Sequence, residues 1–293
     1  MHIPSSMLQG AICPITAGVS IAAVSGAGYV VWQQYNKSGL VSFGAVTALV
    51  FAMHMLNFPV SQGTSGHFLG GVLAASLLGT PLAILSMTIV LTVQAVVFAD
   101  GGITTLGANV LNMALIGAGL GGVLLSYFKL KGFNRLAALA IASLCAVMLG
   151  VGAACLELSA FNPQHLGQIC SAMLGVHLLI GLAEAGLTVG LVSLFEQGGL
   201  KRYANIGYAL AAGAVFLSPM SSPLPDAMQR LGGQLQFSQS LNSITAGLCA
   251  GYQLPFFENG MVSMLMAAAL GVVLVSCAAF FLAKVFYIGK EAV

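Results

Sequence analysis

Charge is almost absent from long stretches of this chain, and that absence narrows its possible folds more than any motif it carries. Only 5% of its 293 residues are Asp, Glu, Lys or Arg, while 58% are hydrophobic. A soluble domain carries about 25% charged residues. The apolar runs approach about 20 residues, the length at which an α-helix crosses the hydrocarbon core of a bilayer. Within lipid every backbone N–H and C=O needs a partner inside the protein, so such runs are read as spanning helices. A net charge of +2 and the lack of any basic run give no footing for nucleic acid as a partner.

Nine apolar segments are legible, at roughly 11–33, 40–59, 66–79, 81–98, 105–128, 135–158, 169–195, 203–219 and 261–287. The third, rich in Gly and Ala, would be only about 21 Å long as a helix. It is expected to pack against neighbours or to traverse the bilayer in part. Lys37, then Lys129, Lys131 and Arg135, then Lys201 and Arg202, then Lys284 and Lys290 fall in alternate loops or at the carboxyl end. Loops rich in Lys and Arg stay in the cytoplasm. With an odd number of spans, the amino terminus is then external and the carboxyl terminus cytoplasmic. No basic leader or cleavage site is readable from Met1 to Gln33, so the first segment is expected to be a retained helix behind a retained Met1. The expected fold is an all-α polytopic membrane protein. Residues 1–200 form a seven-span core, and 201–293 form a two-span hairpin around a polar external loop, 220–259.

That orientation gathers several polar features on the external side. The chain opens Met1-His2-Ile3-Pro4, and His is scarce, with five in the chain. The Met1 amine, the His2 amide nitrogen and the His2 imidazole can close fused five- and six-membered chelate rings around a divalent cation. One further imidazole completes a four-nitrogen tetragonal set, which suits Ni(II) or Cu(II) better than Zn(II). The plain alternative is that any chain must start somewhere and the second-position His carries no meaning. On the same side, the loop Pro59 to His67 has glycines that permit tight turns, with His67 expected to open a helix. His54 lies about a turn inward. Asn57, Ser65 and Gln94 are polar neighbours able to orient a ligating imidazole, or to satisfy one another and the backbone.

Other polar residues have structural readings. Glu184 is an acidic residue deep in an apolar run, a functional candidate by its position. His177, two turns earlier on the same helix face, suits a buried polar pair with it. Asp100 beside Gly101-Gly102 fits a turn or helix cap whose charge draws cations. The glycines from Gly117 to Gly122 lie within a span and lack a following Lys-Ser/Thr, so they indicate close helix packing. The six cysteines show no CxxC pair; most sit in apolar runs as small hydrophobes, while Cys155 and Cys170 flank His165 and leave a pairing or a soft-metal site open. Ser and Cys show no nucleophile–base grouping, so an enzyme is not indicated.

Taken together, Met1-His2-Ile3-Pro4, Asn57-Phe58-Pro59-Val60, Gly63-Thr64-Ser65-Gly66-His67, Leu69-Gly70-Gly71, Gln94 with Phe98-Ala99-Asp100-Gly101-Gly102-Ile103, Leu106-Gly107-Ala108-Asn109, Asn112-Met113-Ala114, and His177 with Gly181 and Glu184 resemble the CbiM/NikM family. These are the substrate-binding membrane components of energy-coupling-factor transporters for cobalt and nickel. Pro225-Asp226, Leu231-Gly232 and Phe237 resemble the Pro-Asp-Gly-Leu-Glu loop of the two-span CbiN/NikN partner, with Ala227-Met228-Gln229 in place of Gly-Leu-Glu. The resemblance implies a fusion of the two components, with Met1, His2 and His67 as metal ligands. Beside them Asn57, Ser65 and Gln94 could orient the His67 ring, and His54 is either a supporting or transit ligand or, on the plainer reading, a hydrogen-bonded helix His. It also implies a transmembrane coupling subunit and cytoplasmic ATPases as partners, the cell membrane as location, no cofactor, and Ni(II) or Co(II) as cargo. Ser5-Ser6 departs from the family's acidic residue and Gly after His-Ile-Pro. A rival reading is a self-contained divalent-metal channel or secondary carrier. That reading asks for ionisable residues along a path, where Glu184, His54 and His177 are the candidates.

Overall fold

The computed structural model describes residues 1–34, 40–61, 63–198, 202–235 and 248–291. Lys37, Gln62, Lys201, Phe237 and the side chain of Lys290 lie outside the described residues, as does the 200/201 boundary. The order of elements is α1 (Ile12–Gln34), α2 (Leu40–His54), β1 (Phe58–Pro59), β2 (Ser65–Gly66), α3 (Gly71–Leu78), α4 (Thr80–Val97), α5 (Leu106–Asn109), a π-helical stretch (Val110–Leu120), α6 (Gly121–Leu130), α7 (Arg135–Phe161), α8 (Leu166–Gly198), α9 (Tyr203–Leu217), α10 (Ala227–Gln234) and α11 (Gly260–Glu291). Among the described residues six helices are long and apolar enough to cross a membrane: α1, α4, the continuous run Leu106–Leu130, α7, α8 and α11. The protein is a polytopic α-helical membrane protein.

The remaining apolar segments are shorter than their sequence suggests. α2 has 15 residues, about 22 Å of helix, and is enclosed on all sides. Ala45, Val46, Ala48, Leu49, Val50, Phe51 and Ala52 are all fully buried, as expected of a helix that is apolar all round. It packs against α9, α11, α4 and α3 and ends at His54, so the centre of the bundle delivers that residue to one face.

The expected helix start at His67 is not observed. Ser65 and Gly66 instead form β2, paired antiparallel to β1 in the register Phe58↔Gly66 and Pro59↔Ser65. α3 begins only at Gly71 and ends after eight residues at Gly79, whose φ is 82°. Gly70, at φ 77°, holds the other end. These two left-handed positions suit glycine, and between them α3 is too short to cross alone. A Cβ placed on Gly71 would lie 2.6 Å from the Gly117 carbonyl carbon, so α3 and the π-helical stretch touch backbone to backbone. The glycines near Gly117 therefore serve close packing.

Within the loop 220–259, the described residues after Asp226 form a helix that composition does not indicate. Asp226 accepts from the Gln229 backbone N–H at 2.7 Å, and the Gln229 side chain accepts from the Asp226 N–H at 3.2 Å. This capping box starts α10. Gln at the third helical position does the work that Glu does in such a box, so Ala227-Met228-Gln229 retains the local chemistry.

Gly71→Ala is expected to destabilise the protein by about 1–3 kcal/mol through forced separation of the two backbones. Gly152→Ala, where a Cβ meets nothing within 4 Å, serves as the matched control. Thermal unfolding in detergent reads the difference.

Candidate metal-binding site

Four stretches of chain converge at one end of the bundle: residues 1–5, the loop after β2, the turn after α4, and the segment around α10 and Tyr252. The amino-terminal stretch is not helical, and it is drawn inward. Met1, Ile3, Met7 and Leu8 are all buried, which anchors the strand through apolar side chains. Polar groups fix its depth. The Ile3 N–H donates to Asn109 Oδ1 at 2.8 Å. The Ile3 carbonyl accepts from Thr105 Oγ1 at 2.6 Å, Asn109 Nδ2 at 3.2 Å and the Gly102 N–H at 3.1 Å. A Cβ on Gly102 would lie 2.4 Å from the Ser5 nitrogen, so glycine is what lets the two backbones meet.

This clamp sets the Met1 amine 3.4 Å from His67 Nε2 and 3.8 Å from Asp226 Oδ2. The ring centroids of His2 and His67 are 5.2 Å apart, those of His54 and His67 5.0 Å, and those of His2 and His54 5.8 Å. The three imidazoles are 4–6% exposed. His67 Nδ1 faces the Phe68 carbonyl at 3.1 Å, which leaves Nε2 toward the amine. His2 Nε2 lies 3.1 Å from Gln94 Oε1, and His2 Nδ1 lies 3.5 Å from Asp100 Oδ1. A cleft of about 240 Å³ opens over His2, His54, His67, Asp100, Asp226 and Tyr252. A far smaller void of about 10 Å³ touches Met1, His67 and Asp226. Among the described residues no three His, Cys, Asp or Glu side chains form a ready-made cage.

Electrostatics prepare these groups for a cation. Burial holds His67 well below the usual imidazole range, helped by the adjacent amine, His54 and His2. Burial likewise lowers His2, against the pull of Asp100. For Asp100 burial acts upward, but His2, the Tyr252 hydroxyl and the amine outweigh it and the carboxyl stays low. At neutral pH the two imidazoles are therefore unprotonated and offer lone pairs, beside the Asp100 carboxylate.

Of the other sequence-predicted residues, His54, Asn57 and Ser65 line the same cleft. Gln94 is central, but it serves His2 rather than His67. His54 Nε2 bonds the Leu69 carbonyl at 2.8 Å. The Ser65 hydroxyl donates to the Leu224 carbonyl at 2.7 Å, and the Asn57 N–H meets Ser221 Oγ at 3.3 Å. Both thus tie the hairpin to the C-terminal loop. Glu184 does not pair with His177. Its two carboxylate oxygens accept the Leu69 and Gly70 N–H groups, each at 2.8 Å, while His177 Nδ1 bonds the Met173 carbonyl. Glu184 thereby satisfies backbone donors in the unwound stretch between β2 and α3, where no helix does so. The His165 ring turns to Gln168, and all six cysteines are free, so no soft-metal trio forms. Sequence reasoning missed Tyr252, Asp226 as a neighbour of the amine, and Thr105, because each meets its partner across about a hundred residues or more.

Comparison with known proteins follows the same lines. Residues 2–199 match the CbiM family, described as the cobalt uptake substrate-specific transmembrane region. The chain belongs to the CbiM family. A putative fused nickel transport protein NikMN of Archaeoglobus fulgidus is 34% identical over 304 residues, covering 97% of this chain and 98% of that protein. The cobalt transport protein CbiM of Geobacter sulfurreducens is 33% identical over 183 residues, covering 58% of this chain and 51% of that protein. A crystal structure of a truncated transition metal transporter superposes with a TM-score of 0.63 at 28% identity, covering 68% of this chain and 99% of the other. This CbiM-family chain is thus matched over 97% of its length by a fused relative.

The buried imidazoles set a pH dependence. Their folded pKa values lie below the unfolded value of 6.5, so the unfolded chain binds more protons just below that pH. Stability is expected to be full above pH 6.5 and to fall as pH drops below it. A His67→Ala variant should show a shallower loss, measured by thermal unfolding between pH 7 and 5.

Proposed function

We propose that this chain is the metal-capturing membrane subunit of an ATP-driven importer of the energy-coupling-factor type, taking up Ni(II) or Co(II). The ion is held by the Met1 amine, the His2 backbone and imidazole nitrogens, and His67. The supporting observation is the Met1 amine buried 3.4 Å from His67 Nε2, with the His2 and His67 ring centroids 5.2 Å apart. An ammonium facing a neutral imidazole becomes two nitrogen donors once a cation takes the proton's place. The donor set is nitrogen-rich, as tetragonal Ni(II) and low-spin Co(II) favour, and the carboxylates of Asp100 and Asp226 compensate the cation's charge.

The amino terminus and the cleft belong to the external face of the cell membrane, as the distribution of Lys and Arg supports. Arg135 pairs with Glu196 at the other end of α7 and α8, the end assigned to the cytoplasm. Residues 1–200 act as the capturing core, and 201–293 as a partner-like segment whose loop closes over the site. Transport needs a transmembrane coupling subunit and cytoplasmic ATPases, since this chain carries no nucleotide-binding motif.

Isothermal titration of the purified chain with Ni(II) and Co(II) tests the ligand set. One or two residues inserted before Met1 should abolish high-affinity binding, because the amine then leaves the five-membered ring. Equal affinity with the insertion would refute the chelate. His67→Ala is expected to lose most of the binding, and an unaffected variant would move the fourth ligand elsewhere. Proton release on binding should also make affinity rise with pH.

A further inference from the structure

Tyr252 belongs to the C-terminal segment, 158 residues from Gln94 in sequence, yet its hydroxyl sits behind the amino-terminal His2. Its ring stacks on Phe98, with centroids 4.7 Å apart at 19°. The backbone around it is pinned by the Cys249 N–H to the Val97 carbonyl and the Gly251 N–H to the Phe98 carbonyl, each at 3.0 Å. Tyr252 itself has φ 59°, a left-handed conformation that a non-glycine residue adopts at a cost. The segment is thus held tightly enough to aim one hydroxyl.

A phenol has one proton to give. Here it goes to Asp100 Oδ2 at 2.6 Å, the shortest contact in the group and one that a carboxylate can only accept. The hydroxyl oxygen therefore accepts from Gln94 Nε2 at 3.2 Å. With its amide nitrogen so placed, Gln94 turns Oε1 to His2 Nε2 at 3.1 Å, and that ring nitrogen must carry the proton. His54 Nδ1 also lies 3.3 Å from Gln94 Oε1, but a neutral His54 has its proton on Nε2, committed to the Leu69 carbonyl, so it does not donate there. A neutral His2 protonated on Nε2 has a bare lone pair on Nδ1, the nitrogen that a six-membered chelate ring with the His2 amide uses.

We infer that Tyr252 is a positioning residue that sets the His2 tautomer through Gln94 and Asp100, keeping Nδ1 free for the ion. The inference rests on the proposed chelate. Tyr252 acts twice in it. It orients the Gln94 amide, and by donating to Asp100 Oδ2 it draws charge from the carboxylate and weakens the pull of Oδ1 on a His2 Nδ1 proton across the 3.5 Å gap. A ring nitrogen's proton is placed by the hydrogen bond its partner nitrogen makes, and in this chain that bond is dictated from the C-terminal segment.

The test uses the purified full chain. Tyr252→Phe keeps the ring on Phe98, so the thermal unfolding midpoint should barely move. Ni(II) affinity should fall by about 10- to 100-fold, the usual effect of losing a group that orients a ligating imidazole. In ¹⁵N-histidine NMR, His2 should change from the Nε2–H to the Nδ1–H tautomer. Adding Gln94→Glu to Tyr252→Phe should restore both readings, because a carboxylate has no N–H to turn toward His2. Native affinity in Tyr252→Phe, or an unchanged tautomer with weakened binding, overturns the inference. If the variant fails to fold, the native chain decides, and an Nδ1–H signal from its His2 refutes the assignment. A chain with residues inserted before Met1 separates the two ideas. If insertion weakens binding and Tyr252→Phe does not, only the tautomer inference falls; if insertion has no effect, the chelate itself falls.

Discussion

The hold that Asn109 and Thr105 take on Ile3 is the interaction on which the rest of the site depends. A chain terminus is ordinarily solvated and mobile, and a buried amine is costly unless it is partnered. Three donors on the Ile3 carbonyl and one acceptor for its N–H remove that freedom at the third residue. The first two residues then have almost no slack. Apolar burial of Met1, Ile3, Met7 and Leu8 supplies the driving force, and the polar clamp supplies the register. The amine arrives beside His67 because both constraints agree on where residue 3 sits.

A second constraint acts from the opposite side of the cleft. The stretch from His67 to Gly70 is unwound, and its backbone donors lie deep in the protein, where no water reaches them. Glu184 meets two of them with one carboxylate, each such bond contributing about 1.5–3 kcal/mol. This explains why an acidic residue persists within α8: its partners are N–H groups of another element, not a side chain on its own helix. The fixed Leu69-Gly70 backbone presents the Leu69 carbonyl to His54 and holds His67 at the depth of the amine.

The C-terminal segment contributes more than a cover. Ser65 joins Leu224 and Pro225 through side chain and backbone, α10 starts from a capping box at Asp226, and Tyr252 reaches Asp100 and Gln94. Carboxylates thus flank the cleft from both halves of the chain, Asp100 from the turn after α4 and Asp226 from the C-terminal loop. They stand where Ser5-Ser6 offers none.

The sequence alone determined the class of fold and supplied candidate residues for the site. Spanning helices were readable because lipid imposes one length and one polarity on them, whereas Met1-His2 could be named as a candidate from the spacing of its nitrogens and His67 only from the family resemblance. Lengths and ends were less legible. The late start of α3 and the β1–β2 hairpin escaped the reading because Gly70 breaks an apolar run that composition treats as continuous from His67, and α10 escaped because a cap of two side chains outweighs weak periodicity. The partners of Glu184, Gln94 and Tyr252 were decided only by the tertiary structure. Each is a hydrogen bond across about 100 residues or more, and no periodicity or spacing records which distant donor a buried acceptor will meet once the helices have packed.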